Sequence, residues 1–220
     1  MTDRLVVAVD GPGGVGKSTV SKRVAERLGA AHLDTGAFYR AATLAVLESG
    51  ADPNEQGEVV KAVAGRHIDH DDGRTTLDGR DVSDEIRGDE VTAAVSVVAA
   101  HPDIRKRMVE AQQQWVHRRH HRAVVEGRDI GTVVFPDATL KVFLDADSAV
   151  RAARRSGETG APAQVVADAL ARRDHLDANR ATSPLVAAAD AIHIDTTKLT
   201  VDEVVEHVLA HLASRHQPDN

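Results

Sequence analysis

The sequence predicts an α/β fold: a five-stranded parallel sheet with helices on both faces, a small antiparallel insertion and a short lid. Two observations carry this prediction. Short apolar runs typical of buried strands alternate with segments of helical periodicity, as expected for a parallel sheet covered by helices. A glycine-rich loop with the spacing G-x-x-x-x-G-K-S stands at residues 11–18, between the first apolar run and the first helical segment.

Each main element has its own signal. Residues 19–28 carry an apolar residue at every fourth position, which predicts the helix after the loop. A second helix follows Pro102, and a closing helix follows Thr200, which forms a capping box with Glu203. The five strand-like runs of the parallel sheet lie at residues 5–10, 31–34, 123–126, 140–145 and 191–195.

Residues 55–90 break this alternation and predict the insertion. Candidate strands at 67–70 and 75–77 are each followed by an Asp-Gly step, at Asp72-Gly73 and Asp78-Gly79. Such steps are typical of tight hairpin turns, so a small antiparallel sheet is expected here.

Two further segments are expected to be irregular. Residues 156–163 contain two glycines and a proline between arginine-rich helical segments, which predicts a mobile flap. Residues 214–220 predict a frayed tail.

The glycine-rich loop indicates a nucleotide phosphate site. Its glycines allow successive backbone N–H groups to turn towards phosphate oxygens, and the positive end of the following helix faces the same anion. Lys17 is predicted to reach the β- and γ-phosphates, and Ser18 to bind Mg²⁺.

The composition narrows the class of protein. Acidic residues outnumber basic ones by 34 to 27, and the net charge of −7 argues against nonspecific binding to nucleic acid or to a membrane surface. The chain has no cysteine, no apolar run long enough to span a membrane and no secretion signal. We expect one domain of 220 residues in the cytoplasm, acting as a monomer.

Three segments carry a resemblance that spans essentially the whole chain. They are D-T-G-A-F-Y-R at 34–40, E-G-R-D-I-G-T-V-V-F-P-D-A at 126–138 and R-R-D-x-x-D-x-x-R at 172–180, and A-T-S-P-L-V-A-A-A-D at 181–190 continues the last one. Together they resemble the bacterial cytidylate kinases, which are P-loop nucleoside monophosphate kinases. Regulatory GTPases do not fit because no N-K-x-D occurs, and shikimate kinases usually have an Asp-x-Asp pair where this chain has Leu33-Asp34-Thr35.

The resemblance implies a P-loop kinase fold and a division of the single domain. The core is expected at about 1–34, 97–150 and 175–220, the monophosphate-binding part with the insertion at about 35–96, and the lid at about 151–174. It also implies transfer of the γ-phosphoryl group of ATP to CMP or dCMP, with Mg²⁺.

Roles for individual residues follow from the same resemblance. The catalytic group is expected to comprise Lys17, Arg128, Arg173, Asp177 and Arg180. ATP is expected to be bound by Gly11, Pro12, Gly13, Gly14, Val15, Gly16, Lys17, Ser18, Thr19, Arg154 and Arg155. CMP is expected to be bound by Thr35, Tyr39, Arg40, Ser96, Arg105, Arg128, Asp129, Arg173, Asp177 and Arg180. Mg²⁺ is expected on Ser18 and, through water, on Glu126.

Some alternatives remain open. Glu126 stands where many members of the family have aspartate, and Thr35 stands where serine is common. The flap is shorter than in those members, so the sequence leaves undecided which of Arg151, Arg154 and Arg155 reaches ATP. The acceptor could instead be another nucleoside monophosphate such as UMP, or the chain could be a switch that binds ATP without transferring phosphate. The histidines at 117, 120 and 121 have the spacing of a zinc site but lack carboxylate or thiolate companions.

Overall fold

The computed structural model describes residues 4–71, 73–180 and 182–215. The helices are α1 (Lys17–Leu28), α2 (Thr35–Glu48), α3 (Gln56–Val63), α4 (Asp89–Val98), α5 (Pro102–Arg118), α6 (Ser148–Thr159), α7 (Ala163–Ala178) and α8 (Val201–Arg215). The strands are β1 (Leu5–Asp10), β2 (Ala31–Asp34), β3 (Ile68–Asp71), β4 (Arg74–Leu77), β5 (Arg80–Asp81), β6 (Arg122–Gly127), β7 (Leu140–Asp145) and β8 (Ile192–Asp195). A 3₁₀ turn, Glu85–Arg87, and a π-helical turn, Ile130–Val134, complete the set.

The chain divides into two compact units. The first comprises the described residues of Met1–His32 and His120–Asn220, and the second is Leu33–Arg119. None of the helices in the described ranges is both long enough and apolar enough to cross a membrane.

A five-stranded sheet in the order β2-β6-β1-β7-β8 forms the main layer of the fold. Strand β1 pairs in parallel with β6 on one side and β7 on the other, and β7 pairs in parallel with β8. Every residue of β1 is buried, as its unbroken apolar run predicts. Val7 and Val9 pack with Val24 of α1 and Val208 of α8 in one core cluster. The predicted parallel sheet is confirmed.

The second unit contains the antiparallel insertion that the sequence predicts. Strands β3, β4 and β5 form a three-stranded sheet, with Ile68 opposite Leu77 and Leu77 opposite Arg80. The Asp78-Gly79 step is the β4–β5 turn, with both residues at positive φ (52° and 82°), as a two-residue hairpin of this type requires. The sequence did not predict the very short β5. Asp72 of the other predicted turn lies outside the described residues.

The structure corrects the predicted flap. Helix α6 continues to Thr159 and α7 starts at Ala163, so residues 156–163 are mostly helical and only three residues join the two helices. The turn-forming residues mark the ends of helices instead: Gly160 caps α6 at a φ of 71°, and Pro162 precedes α7. Ser214 and Arg215 also belong to a helix, α8, and the rest of the predicted tail lies outside the described residues.

The predicted capping box opens α8. The Thr200 N–H donates to Glu203 Oε2 at 2.8 Å, and the Glu203 N–H donates to Thr200 Oγ1 at 3.3 Å. Replacing Thr200 by alanine removes an acceptor from a helix N-terminus, which typically costs ~1 kcal/mol. We expect Thr200→Ala to lower the free energy of unfolding in urea by about that amount, with exposed Lys198→Ala as the control. Equal unfolding free energies for the two variants would show that the box does not stabilise the helix.

Candidate active site

The phosphate loop joins β1 to α1 in the strand–loop–helix arrangement that the sequence predicts. Two of its glycines are required by close packing. A Cβ on Gly11 would lie 2.1 Å from the Leu144 carbonyl oxygen, and one on Gly14 would lie 3.0 Å from the Arg151 carbonyl oxygen. Both glycines also have positive φ (148° and 79°). The loop is therefore held against β7 and α6, with the positive end of α1 behind it.

Lys17, the first residue of α1, is buried beside this loop. Its Nζ donates hydrogen bonds to the carbonyl oxygens of Gly11, at 2.8 Å, and Pro12, at 2.6 Å. Burial lowers the pKa of Lys17 well below its usual value, and the nearby positive charges of Arg128 and Arg173 act in the same direction. Because burial and like charges disfavour the charged form of Lys17, an anion that binds here would be stabilised by the uncompensated positive charge.

Ser18, Glu126 and His32 form a connected group next to the loop. Ser18 Oγ donates to Glu126 Oε2 at 2.9 Å, and His32 Nε2 lies 3.0 Å from Glu126 Oε1. A hydroxyl and a carboxylate oxygen so close together are ligands of the kind that Mg²⁺ prefers, so these residues fit the metal that the sequence predicts. The longer glutamate arm still reaches Ser18. In the described part of the chain, no cluster of three or more His, Cys, Asp or Glu could hold a metal ion.

Asp177 on α7 gathers three of the predicted arginines. Arg128 Nε donates to Asp177 Oδ2 at 2.8 Å, Arg180 donates to the other carboxylate oxygen, and Arg173 Nε lies 3.9 Å from Oδ2. The Asp177 side chain is only 1% exposed. Burial acts to raise the pKa of Asp177, but the charges of Arg128, Arg180 and Arg173 outweigh it and hold the pKa below its usual value. Asp177 thus stays ionised and fixes the arginines.

The chain leaves β6 through Arg128 and Asp129 into the π-helical turn. The Asp129 carbonyl accepts hydrogen bonds from the N–H groups of Val133, at 2.9 Å, and Val134, at 3.2 Å. Asp129 is buried. Asp10, at the end of β1, accepts hydrogen bonds from the first two N–H groups of the turn.

The arginines of α6 differ in what they contact. Arg151 Nη1 donates to the Gly13 carbonyl of the phosphate loop at 3.1 Å and to Asp174 Oδ2 at 2.5 Å. Arg154 Nη2 donates to the Thr196 carbonyl at 2.7 Å, whereas exposed Arg155 pairs with Glu158 on its own helix at 2.8 Å. Of the three, the structure places Arg151 directly on the loop.

The second unit brings together several residues predicted to bind CMP. Thr35, Tyr39 and Arg40 lie on α2, Ser96 on α4 and Arg105 on α5, and α2 packs against both other helices. The Arg105 guanidinium lies over the Tyr39 ring, 5.4 Å from its centroid. Arg40 Nη1 donates to the Ile86 carbonyl at 3.0 Å. Contacts within the second unit thus hold the side chains of Arg40 and Arg105 in place.

Sequence reasoning missed three residues of the first unit. Asp10 could have been found, because it is a charged residue that ends an otherwise apolar strand just before the loop. Asp174 stands inside the quoted R-R-D segment, where nothing distinguishes it from a surface charge. His32 gives no signal in the sequence, since its contact with Glu126 joins residues 94 positions apart.

Known proteins resemble this chain at two levels. At the level of fold, a gluconokinase from Sinorhizobium meliloti has a TM-score of 0.51 at 17% identity, covering 96% of this chain and 92% of its own. A sugar kinase from a Janibacter species has a TM-score of 0.52 at 17% identity, covering 96% and 95%. At these identities the likeness concerns the fold alone.

Sequence comparison is far more specific. A protein named cytidylate kinase from Mycobacterium leprae is 49% identical over 95% of each chain, and one from Nocardia farcinica is 50% identical over 93% of this chain and 91% of its own. The family model for cytidylate kinase matches residues 7–214. That match includes the phosphate loop, Glu126, and the arginines around Asp177, so the chain belongs to the cytidylate kinase family of P-loop kinases.

Proposed function

We propose that this enzyme transfers the γ-phosphoryl group of ATP to CMP or dCMP, in a reaction that depends on Mg²⁺. The observation that carries the proposal is the group of arginines fixed by Asp177 beside the phosphate loop. If the loop only bound ATP, Lys17 would be the cation that contacts the ATP phosphates. Additional cations, close enough to lower the pKa of Lys17, supply the charge that a second phosphate group needs.

The phosphate loop would bind ATP through its backbone N–H groups and Lys17. Ser18 would bind Mg²⁺ directly, and Glu126 would orient water on the ion. The metal, when bound, neutralises charge on the transferring phosphate. The hydrogen bond between Ser18 and Glu126 supports this assignment, because it brings the two oxygens within 2.9 Å of each other. Arg151, already bonded to the Gly13 carbonyl, would join Arg154 and Arg155 as ATP-facing arginines of the lid.

On the acceptor side, Arg40 and Arg128 would bind the CMP phosphate. Arg173, Asp177 and Arg180 would face the sugar and the transferring group. The acceptor phosphate is already ionised near neutral pH, so the reaction needs positioning and charge neutralisation more than a general base. Arg128 is held at 2.8 Å by Asp177, which supports a preorganised role.

Base recognition would fall to Ser96, Arg105 and Asp129, together with Thr35 and Tyr39. An ionised carboxylate only accepts hydrogen bonds, which suits the exocyclic N4–H₂ group of cytosine and not the O4 of uracil. The monomeric state and the cytoplasmic location stay predictions from the sequence.

A coupled assay of ADP release with CMP, dCMP, UMP and AMP as acceptors tests the proposal. We expect CMP and dCMP to have the largest kcat/KM values, and EDTA to abolish turnover with both. A larger kcat/KM for UMP or AMP would assign the enzyme to another nucleoside monophosphate. ATP binding without ADP release on any acceptor would indicate a nucleotide-binding switch.

A further inference from the structure

We propose that Asp10 is a positioning residue: its carboxylate clamps the backbone just after Asp129 and thereby sets how Arg128 and Asp129 meet the acceptor nucleotide. The inference rests on the proposed function, since it concerns the acceptor of that same reaction. It assigns to the last residue of β1 a role in acceptor binding and base selectivity.

The clamp is formed by both oxygens of one buried carboxylate. Asp10 Oδ1 accepts the Ile130 N–H at 2.8 Å, and Oδ2 accepts the Gly131 N–H at 2.7 Å. Asp10 is 4% exposed. The N–H groups in the first turn of a helical segment have no partner within it, so a carboxylate at this point satisfies two donors at once. Hydrogen bonds to an ionised acceptor are stronger than those between neutral groups.

The register of the sheet places this clamp close to the proposed acceptor residues. Asp10 pairs with Gly127 in the parallel β1–β6 ladder. The chain is therefore fixed at Gly127 by the sheet and at Ile130 and Gly131 by the Asp10 carboxylate. Only Arg128 and Asp129 lie between these two anchors, so the position of their backbone depends on both.

Close packing around Gly131 leaves the clamp little free space. A Cβ on Gly131 would lie 3.1 Å from Lys141 Cδ and 3.4 Å from Asp10 Oδ2. Lys141 is itself held by Asp190, with 2.8 Å between Nζ and Oδ1. The space next to the Gly131 Cα is thus filled by the Lys141 stem and the Asp10 carboxylate, so no side chain fits there without displacing one of them.

A buried carboxylate is costly to maintain. Burial raises the pKa of Asp10 to about 6, against the opposing effect of the two backbone hydrogen bonds. The negative charge of Asp129 raises the pKa of Asp10 further, and the positive charge of Lys17 lowers it. An apolar residue would fill this position at the end of β1 without that cost. What such a residue cannot do is accept two adjacent N–H groups.

Asp10→Asn tests the clamp at constant volume. An asparagine side chain has one oxygen and one NH₂ group, so one of the two N–H donors would lose its acceptor and face another donor. We expect the dissociation constant for CMP, measured by calorimetry, and the KM for CMP to rise by ~10-fold or more. The ratio of kcat/KM for CMP to that for UMP should fall, and the KM for CMP should rise by a larger factor than the KM for ATP.

Two further variants make the result decisive. Gly131→Ala disturbs the same clamp by placing a methyl group against Asp10 Oδ2 and the Lys141 stem, and it should give the same pattern of a raised dissociation constant for CMP and a lowered CMP:UMP ratio. Asp195→Asn is the matched control: this exposed aspartate ends β8 and accepts the Thr197 N–H at 2.9 Å, remote in sequence from the clamp. It should leave both acceptor readouts unchanged. Thermal melts establish that each variant is folded.

The outcomes separate this inference from the proposed function. If the wild-type enzyme binds and phosphorylates CMP, unchanged CMP constants in Asp10→Asn overturn the role of Asp10. The same conclusion follows if CMP and ATP constants worsen equally. If Asp10→Asn does not fold, the Gly131→Ala measurements decide by the same criteria. A wild-type enzyme that prefers another monophosphate contradicts the proposed function, and the clamp is then judged on the constants for that acceptor.

Discussion

Lys17→Ala is expected to lower kcat by at least ~10²-fold, because one preorganised cation facing the charge that develops in transfer is worth roughly 3 kcal/mol. The structure supports a large effect. Lys17 is buried, and its Nζ is held at the mouth of the loop by the carbonyls of Gly11 and Pro12. The fold should survive, since burial already disfavours the charge that the substitution removes.

Lys22→Ala is the matched control, because Lys22 lies on the same helix with its side chain exposed. The measurements are kcat at saturating ATP and CMP, alongside a thermal melt of each variant. A folded Lys17→Ala enzyme with kcat close to that of the Lys22→Ala control would remove Lys17 from the mechanism.

Asp129→Ala is expected to lower the ratio of kcat/KM for CMP to that for UMP by ~10-fold or more. A carboxylate that accepts from the cytosine amino group would meet a lone pair on uracil, so its removal costs CMP more than UMP. Arg128, the neighbouring residue, has its ion pair with Asp177, at 2.8 Å between Nε and Oδ2. Arg128 therefore has a counter-ion other than Asp129.

Asp137→Ala provides the comparison for this variant, since Asp137 belongs to the same sequence segment but pairs with Arg4 at the surface. Its CMP:UMP ratio should equal that of the wild type. If Asp129→Ala lowers kcat/KM for both acceptors by the same factor, while the protein still folds and binds ATP, Asp129 has a structural role and does not read the base.

The fold was predictable wherever the signal is local. The apolar run of β1, the glycine spacing of the loop, the Asp78-Gly79 turn and the Thr200–Glu203 capping box all encode their structure within a few residues. The end of α6 was not predictable, because the glycine and proline that mark the ends of two helices are equally typical of a longer irregular segment. A helix-terminating signal and a loop signal use the same residue types.

In the candidate site, too, the residues placed by a local pattern were predictable and the contacts between distant residues were not. Lys17 and Ser18 are fixed by the spacing of the loop, so sequence alone places them. The contacts of Asp10 with Gly131, of His32 with Glu126 and of Arg151 with Gly13 join residues that are 121, 94 and 138 positions apart. Nothing in the local pattern encodes such pairs; they follow from the order of strands in the sheet.

That strand order also bears on how the enzyme reaches its working state. The phosphate loop follows β1 directly, yet both strands that pair with β1 lie more than a hundred residues further along the chain. Asp10 pairs with Gly127 of β6 and with Phe143 of β7. During synthesis, the glycine loop therefore leaves the ribosome long before β6 and β7 have been made. Pairings of such long range are slow to close, because loop entropy is lost before the contact is gained. We therefore expect nucleotide affinity to appear only after β6 and β7 have been synthesised and have paired with β1.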